Sequence, residues 1–170
     1  MKRILFSVAI LFAGLSNVNA QQGNFKVGAH FGLPIGTLNE GYSVNLGVDV
    51  AYLWKVSSII ELGATTGFSN YFGKNFSESY NGYTFDFDVE DFQIIPLAAS
   101  AKFNVAPQFF IGTDIGYAFF IGDNEDTGAF YYQPKVGMNI KKSEIYLGYK
   151  GMSKYSENVG SINLGYAYNF

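Results

Sequence analysis

The ten residues Ser161 to Phe170, SINLGYAYNF, decide the fold. Every second residue of this stretch is large and apolar, and the residues between are small or polar. Because successive side chains of a β-strand point to opposite faces, the stretch predicts a strand with one apolar face. Chain ends are usually polar and frayed, whereas this one finishes on an aromatic residue. The predicted apolar face consists of Ile162, Leu164, Tyr166, Tyr168 and Phe170.

The composition leaves little charge for a water-facing surface. Charged residues make up 15% of the chain, against about 25% in an average soluble domain, while aromatic residues reach 18%. There is no cysteine, which excludes disulfides, thiolate metal sites and thiol nucleophiles. These proportions favour a protein that is surrounded by lipid.

Residues 1–20 are predicted to be a signal peptide that is removed near Ala20. Lys2 and Arg3 form a basic start, a short apolar run follows, and small residues precede the cleavage position. The apolar run is too short to span a bilayer comfortably as a helix. We therefore expect an exported mature chain, 21–170, that folds as one domain.

The two-faced alternation of the final strand recurs in eight segments of the chain. Each segment has about the 9–11 residues with which a tilted strand crosses a bilayer. Brief turns alternate with longer loops, which is the layout of outer-membrane barrels with the turns on the periplasmic side. The sequence therefore predicts an all-β fold, an eight-stranded antiparallel up-and-down transmembrane β-barrel. The predicted turns are 55–58, 104–108 and 141–143, and the predicted loops are 34–42, 71–91, 122–128 and 151–158.

The charged residues inside the predicted strands all lie on the small, polar face. A charge facing lipid costs about 2–4 kcal/mol at the bilayer midplane, so this face is expected to point into the barrel. Because buried charges must be paired, we predict an internal network of salt bridges and hydrogen bonds rather than a proton relay. With the single histidine added, the predicted network consists of Lys26, His30, Asp49, Glu61, Lys102, Asp114, Lys135 and Lys150.

Alternation alone also fits a soluble lipocalin-like barrel in the periplasm, whose apolar face would point inward. Two observations favour the membrane barrel. The polar face is dominated by glycine, alanine and serine, a poor solubilising surface, and aromatic residues recur at the strand ends of the apolar face, as in interfacial aromatic belts. The belt near the short turns comprises Tyr52, Trp54, Phe103, Phe109, Tyr168 and Phe170. The belt near the long loops comprises Phe68, Phe119, Phe130 and Tyr132.

Signal peptide, eight strands and the aromatic-ended strand 161–170 together resemble the small bacterial outer-membrane barrels of OmpA/OmpX type. The segment 93–97, QIIPL, is similar to the fourth-strand region of small outer-membrane barrel proteins from Bacteroidetes. The resemblance implies a porin-like architecture in the outer membrane of a Gram-negative bacterium, contact with outer-membrane lipid, and recognition of the final strand by the barrel-assembly machinery. The chain departs from the OmpA plan in ending at the barrel, so no wall-tethering role is carried over.

The function predicted from these features is structural or adhesion-like, with no open pore, because an eight-stranded barrel is just wide enough to be filled by its own side chains. The alternative is a barrel enzyme that acts on outer-membrane lipid. Such an enzyme needs serine, histidine and an acid together at the rim, whereas His30 faces inward with no serine near it on its own strand. We expect no catalytic residue, no cofactor, no nucleic-acid partner and a monomer.

The long loops carry most of the acidic residues. Ten of the fourteen acids lie in or beside them, and Tyr83–Glu90 keeps the alternation of the fourth predicted strand, so we expect it to extend that strand into a protruding hairpin. Aromatic residues in 71–91 suit binding to an extracellular partner. The acids Asp86, Asp88 and Glu90 share one face and offer oxygen ligands for Ca²⁺ or Mg²⁺. We favour a solvated rim that resists edge pairing, because the glycine-centred spacing of a calcium loop is missing.

Two prolines interrupt the predicted strands. Pro96 and Pro134 lie within segments that a closed barrel must pair on both sides, and each lacks a backbone donor. We interpret both positions as bulge sites.

Overall fold

The computed structural model describes residues 23–80, 83–122, 127–155 and 157–170, so the predicted signal peptide lies outside the described residues. Among those residues no helix is long and apolar enough to cross a membrane. The elements are β1 (Gly23–Ile35), α1 (Leu38–Gly41), β2 (Tyr42–Lys55), β3 (Ile60–Gly73), β4 (Asn75–Tyr80), β5 (Tyr83–Asp88), β6 (Phe92–Asn104), β7 (Phe109–Ile121), β8 (Gly128–Ile140), β9 (Ser143–Lys154) and β10 (Glu157–Asn169).

Eight strands close into a barrel in which every neighbouring pair is antiparallel. The order around the barrel is β1-β10-β9-β8-β7-β6-β3-β2, and β1 and β10 form the closing pair. Lys26 of β1, for example, lies opposite Ala51 on one side and Asn169 on the other. The predicted fold class is therefore confirmed. β4 and β5 form a separate two-stranded sheet, the hairpin, which is inserted between β3 and β6.

The apolar face of the barrel strands points outward. Val48, Leu97 and Leu164 are exposed, whereas the residues of opposite parity, such as Asn45 and Asn163, are buried. Trp54 shares the outward parity of Val48 in β2. A lipocalin-like barrel would have this apolar face inside, so that alternative is wrong.

Aromatic side chains contact one another on the outer surface near both ends of the barrel. At the end with the short turns, here called the turn end, the Tyr52 and Trp54 rings lie 5.0 Å apart and the Tyr168 and Phe170 rings 5.0 Å apart. At the opposite end, the loop end, Tyr117 contacts Phe119 and Tyr132 contacts Tyr149. The predicted belts thus correspond to two real groups of aromatic residues, separated by aliphatic side chains.

The ion pairs of the interior lie at the turn end and in the middle, whereas the loop end holds bulky apolar side chains beside the buried Asn45, Ser161 and Asn163. The inward face therefore also carries large apolar residues, in addition to the glycine, alanine and serine that dominate it in the sequence. Bulky side chains must fill a lumen of this width where no ion pairs do so, and the helical turn α1 adds Leu38 from above. This apolar layer consists of Leu38, Tyr71, Ile94, Ala98, Ala118, Ala129, Tyr131 and Met152.

The two strand prolines are not bulge sites. In the β3–β6 pair, Thr66 lies opposite Leu97 and Ser69 opposite Ile94, so the register is the same on both sides of Pro96. The β8–β9 register is likewise unchanged across Pro134. Each proline interrupts the pairing with one neighbouring strand while the pairing with β7 runs through it without a shift. The missing N–H donor of each proline therefore interrupts the backbone hydrogen bonds to one neighbouring strand, but no extra residue is inserted as in a bulge.

Candidate functional site

Four charged side chains form an ion cluster inside the turn end of the barrel. Lys26 and Lys102 lie on opposite sides of Glu144, with Nζ–Oε1 distances of 2.7 Å and 2.5 Å. Glu61 completes the cluster, 3.4 Å from Lys26 and 4.0 Å from Lys102. All four side chains are buried, so each carboxylate offsets the desolvation of two ammonium groups. We call these four residues the turn-end cluster.

Glu144 is the residue that the sequence analysis missed. The predicted turn ended at Ser143, and Glu144, the next residue, was not assigned to either face of the strand. Glu144 nevertheless shares the parity of the inward residues Tyr146 and Lys150. With Glu144 included, four lysines and four acids face the lumen: Lys26, Lys102, Lys135 and Lys150 with Asp49, Glu61, Asp114 and Glu144. The network is therefore balanced in charge.

A second group, the central cluster, surrounds the single histidine. His30 Nδ1 lies 2.7 Å from Asp49 Oδ2, and His30 Nε2 lies 3.0 Å from Lys150 Nζ and 3.1 Å from Ser69 Oγ. Because an ammonium only donates, Nε2 must accept and the proton of the neutral ring must lie on Nδ1, where it is donated to Asp49. Tyr146 also donates to Asp49, at 3.1 Å.

The register of three neighbouring strands brings Ser69 to His30. Gly47 of β2 lies opposite His30 of β1 and opposite Ser69 of β3. A Cβ atom at Gly47 would lie 2.4 Å from the imidazole, so the glycine allows the ring to lie across β2 and reach Ser69. The serine that contacts His30 therefore comes from another strand, β3, although no serine lies near His30 on its own strand.

Serine, histidine and aspartate are thus connected in the order of a nucleophile, a base and an orienting acid. Ser69 and Lys150 are 0% exposed, and the interior cavity beside Asp49 is lined by neither Ser69 nor His30. The Ser69 hydroxyl is instead enclosed by its hydrogen bonds to His30 and Lys150. The arrangement therefore acts as a buried hydrogen-bond network.

The remaining members of the predicted network also point inward. Lys135 Nζ donates to Asp114 Oδ2 at 2.7 Å. All eight predicted residues consequently line the lumen and are divided between the turn-end cluster, the central cluster and this pair. Below the turn-end cluster a funnel of about 740 Å³ is lined by Lys55, Lys141 and Lys142 at its rim.

The hairpin is fixed to the barrel at its base. The carboxylate of Asp91 accepts hydrogen bonds from Asn70 Nδ2 at 2.9 Å and from the Gly73 amide at 3.1 Å. Lys74 donates to the carbonyl of Asn39 beside α1. A Cβ atom at Gly73 would lie 1.7 Å from the Val89 carbonyl oxygen, so the close approach of the two chain segments requires glycine there. The hydrogen bonds from Asn70 and Gly73 lower the pKa of the Asp91 carboxyl.

The protruding hairpin that the sequence predicts is present, but β5 does not continue into β6. Residues 89–91 separate the two strands, because the Asp91 side chain replaces ladder pairing at that point. In the hairpin Phe76 lies directly opposite Phe87, and Asn75 lies opposite Asp88. Phe76 is 43% exposed and Phe87 59% exposed, so an aromatic pair faces solvent.

The candidate metal ligands Asp86, Asp88 and Glu90 are only partly covered by the structure. The side chain of Asp86 lies outside the described residues, while Asp88 and Glu90 are exposed. Among the described residues no three histidine or carboxylate side chains are grouped closely enough to hold a metal ion.

Comparison with known proteins gives a structural likeness only. No protein-family model matches the chain, and no curated protein matches it. A de novo designed transmembrane β-barrel superposes with a TM-score of 0.54 at 12% identity, covering 89% of this chain and 100% of the design. Ail, the attachment invasion locus protein of Yersinia pestis, in complex with the heparin analogue sucrose octasulfate, superposes with a TM-score of 0.51 at 16% identity, covering 89% and 100%. The outer-membrane protein Ail in a phospholipid nanodisc gives 0.51 at 15%, covering 88% and 100%. At these identities the likeness shows the fold: this chain is built like small eight-stranded membrane barrels.

Proposed function

We propose that the chain is an outer-membrane β-barrel protein of a Gram-negative bacterium that binds a cell-surface partner through its β4–β5 hairpin. It has neither an open pore nor an enzymatic activity. The observation that carries the proposal is the solvent-exposed Phe76–Phe87 pair on a hairpin that is anchored above the barrel. Large aromatic groups that are exposed next to each other mark interaction surfaces in other proteins.

The membrane location is supported by the outer surface. Exposed aliphatic side chains cover the barrel wall between the two aromatic groups, which matches the cross-section of a bilayer. Phe170 is outward and exposed beside Phe25, their rings 5.9 Å apart, so the aromatic end of the final strand is accessible to an assembly machinery. The proposed form is a monomer, because the exposed apolar side chains around the barrel wall suit contact with lipid.

The charge of the loop end indicates what kind of partner fits. In the sequence, ten acids and two lysines, Lys74 and Lys154, lie in or beside the predicted loops. Such a surface repels a sulfated glycan like the heparin analogue bound to Ail. The partner is therefore a protein surface that presents basic groups around an apolar patch, into which Phe76 and Phe87 insert.

Cell adhesion tests this proposal. A laboratory Gram-negative host displaying the wild type is applied to surfaces coated with a basic protein, an acidic protein or heparin. The double substitution F76S/F87S is expected to reduce adhesion to the basic protein at least tenfold, since buried aromatic anchors are each worth more than about 1 kcal/mol.

The matched control is Tyr155→Ser, which removes an exposed aromatic residue from a different loop. It is expected to adhere like the wild type, and surface proteolysis must show equal amounts of all three proteins. If F76S/F87S adheres as strongly as the wild type, the hairpin is not the binding surface. If the wild type adheres more strongly to heparin than to the basic protein, the assigned partner chemistry is contradicted.

The reactivity of Ser69 tests the alternative that the barrel is a lipid-hydrolysing enzyme. Because its hydroxyl is buried and held by His30 and Lys150, we expect no labelling of the folded barrel by a fluorophosphonate serine probe. The measurement compares wild type with Ser69→Ala in detergent. Labelling of the wild type that is lost in Ser69→Ala would establish an accessible nucleophile and overturn the non-enzymatic assignment.

A further inference from the structure

A row of three polar side chains crosses the inner wall near the middle of the barrel. Ser100 of β6 lies directly opposite Asp114 of β7, and Asp114 lies opposite Gln133 of β8. These residues are 6%, 1% and 2% exposed. The row is thus a continuous polar strip on three adjacent strands, removed from the bulk solvent at either end.

Each residue of the row keeps one polar atom that bonds to no protein atom of the described chain. Asp114 Oδ2 accepts from Lys135, but Oδ1 has no partner. Gln133 Oε1 accepts from Tyr131 at 2.8 Å, but Nε2 has no partner, and neither does Ser100 Oγ. Burying a polar atom without a hydrogen bond costs about 1–3 kcal/mol, so three such atoms side by side point to a bound ligand.

The same three residues line an interior cavity of about 50 Å³. The space exists because the facing wall carries small residues, Gly28, Ala51 and Ala167. A water molecule needs about 10–15 Å³ by this measure, so the cavity has room for a few waters and for no larger solute.

The charges around the cavity favour a neutral ligand. Three lysines and three acids line it, namely Lys26, Lys102, Lys135, Asp49, Asp114 and Glu144. Each of these ammonium groups already lies within 2.7 Å of a carboxylate oxygen. An added cation would therefore meet a balanced field. The unpartnered atoms comprise a donor, an acceptor and a hydroxyl, and water, which both donates and accepts hydrogen bonds, satisfies all three.

We propose that this cavity binds a cluster of water molecules that hydrogen-bonds to Ser100 Oγ, Asp114 Oδ1 and Gln133 Nε2. The cavity is bordered by Lys26 and Glu144 of the turn-end cluster and by Asp49 of the central cluster. The waters therefore lie between the two clusters, where no direct side-chain hydrogen bond joins Lys26 or Glu144 to Asp49 among the described residues.

The first test is a crystal structure of the full barrel at a resolution that shows ordered water. Density is expected within about 3.2 Å of the three unpartnered atoms. An empty cavity in a well-ordered map overturns the proposal. A single peak with oxygen distances near 2.3–2.4 Å overturns it as well, because that spacing indicates a metal cation.

The second test works in solution and uses matched variants. Ser100→Val fills the cavity and removes the hydroxyl, while Ala99→Val adds the same bulk on the outward face of the same strand. In isotope-labelled protein, magnetisation transfer from water to the amides around Ser100 and Asp114 is expected in the wild type and in Ala99→Val, and it is expected to be lost in Ser100→Val. Equal transfer in all three proteins contradicts the assigned site. If Ser100→Val fails to fold, the wild-type map decides.

Discussion

At the scale of single residues, the turn-end cluster depends on Glu144, which pairs with two buried lysines at once. Glu144→Gln keeps the shape of the side chain but removes its charge, leaving the ammonium groups to Glu61 alone. Removing one partner of a buried ion pair costs about 3–5 kcal/mol, and we expect a loss near the lower end because the amide oxygen still accepts a hydrogen bond. Urea unfolding in lipid vesicles, followed by the fluorescence of Trp54, measures the change.

Glu40→Gln is the control for this substitution, because Glu40 is an exposed acid of the helical turn α1. It is expected to change the free energy of unfolding by less than about 0.5 kcal/mol. If both substitutions have the same effect, the buried cluster contributes nothing specific to stability.

The same scale shows what the sequence was able to predict about the network. All eight residues that strand parity predicted to face inward do so, because a period of two carries through every strand, whereas Glu144 beside a predicted turn was missed. Parity says nothing about which side chains meet across the lumen. The contact of His30 with Ser69 depends on the register of β1, β2 and β3 and on the missing side chain of Gly47, neither of which a single strand reveals.

At the scale of elements, the hairpin is held by the ionised carboxylate of Asp91. The hydrogen bonds from Asn70 and Gly73 depress its pKa in the folded state. The anchor is therefore fully present above the ordinary aspartate pKa and is lost as the pH falls through the lowered folded pKa. We expect amide exchange at Gly73 to be slow at neutral pH and to lose protection at a pH below the ordinary aspartate pKa, measured by NMR at matched intrinsic exchange rates.

Two substitutions separate this anchor from general surface charge. Asp91→Ala removes the acceptor and is expected to abolish the protection of Gly73 at neutral pH, while Glu90→Ala, at the exposed neighbouring position, is expected to keep it. Protection that persists in Asp91→Ala would mean that the backbone bonds of Lys74 hold the hairpin without the carboxylate.

The sequence predicted the strands better than their ends. The alternation of residues 83–90 matched that of the following strand, so one long strand was expected, yet a single side chain acting as a backbone partner divides it into β5 and β6. Likewise β3 extends to Gly73, inside the predicted loop. Local pattern fixes the type of an element, whereas its end depends on tertiary hydrogen bonds.

At the scale of the whole molecule, the apolar layer lies across the lumen at the loop end, above the ion clusters. Ions would have to cross this layer, so we expect no steady conductance from the wild-type barrel in planar bilayers, with a general porin as the positive control. Reproducible conductance steps at neutral pH would contradict the absence of an open pore.

The pairing of β1 with β10 has a consequence for how the barrel folds. Segments far apart in sequence, such as those around Lys26 and Asn169, must pair before the sheet can close into a barrel. Until then β1 and β10 are edge strands with unpaired backbone N–H and C=O groups. The barrel therefore cannot close progressively from its N-terminus, since β1 gains its second neighbour only when the last strand has formed.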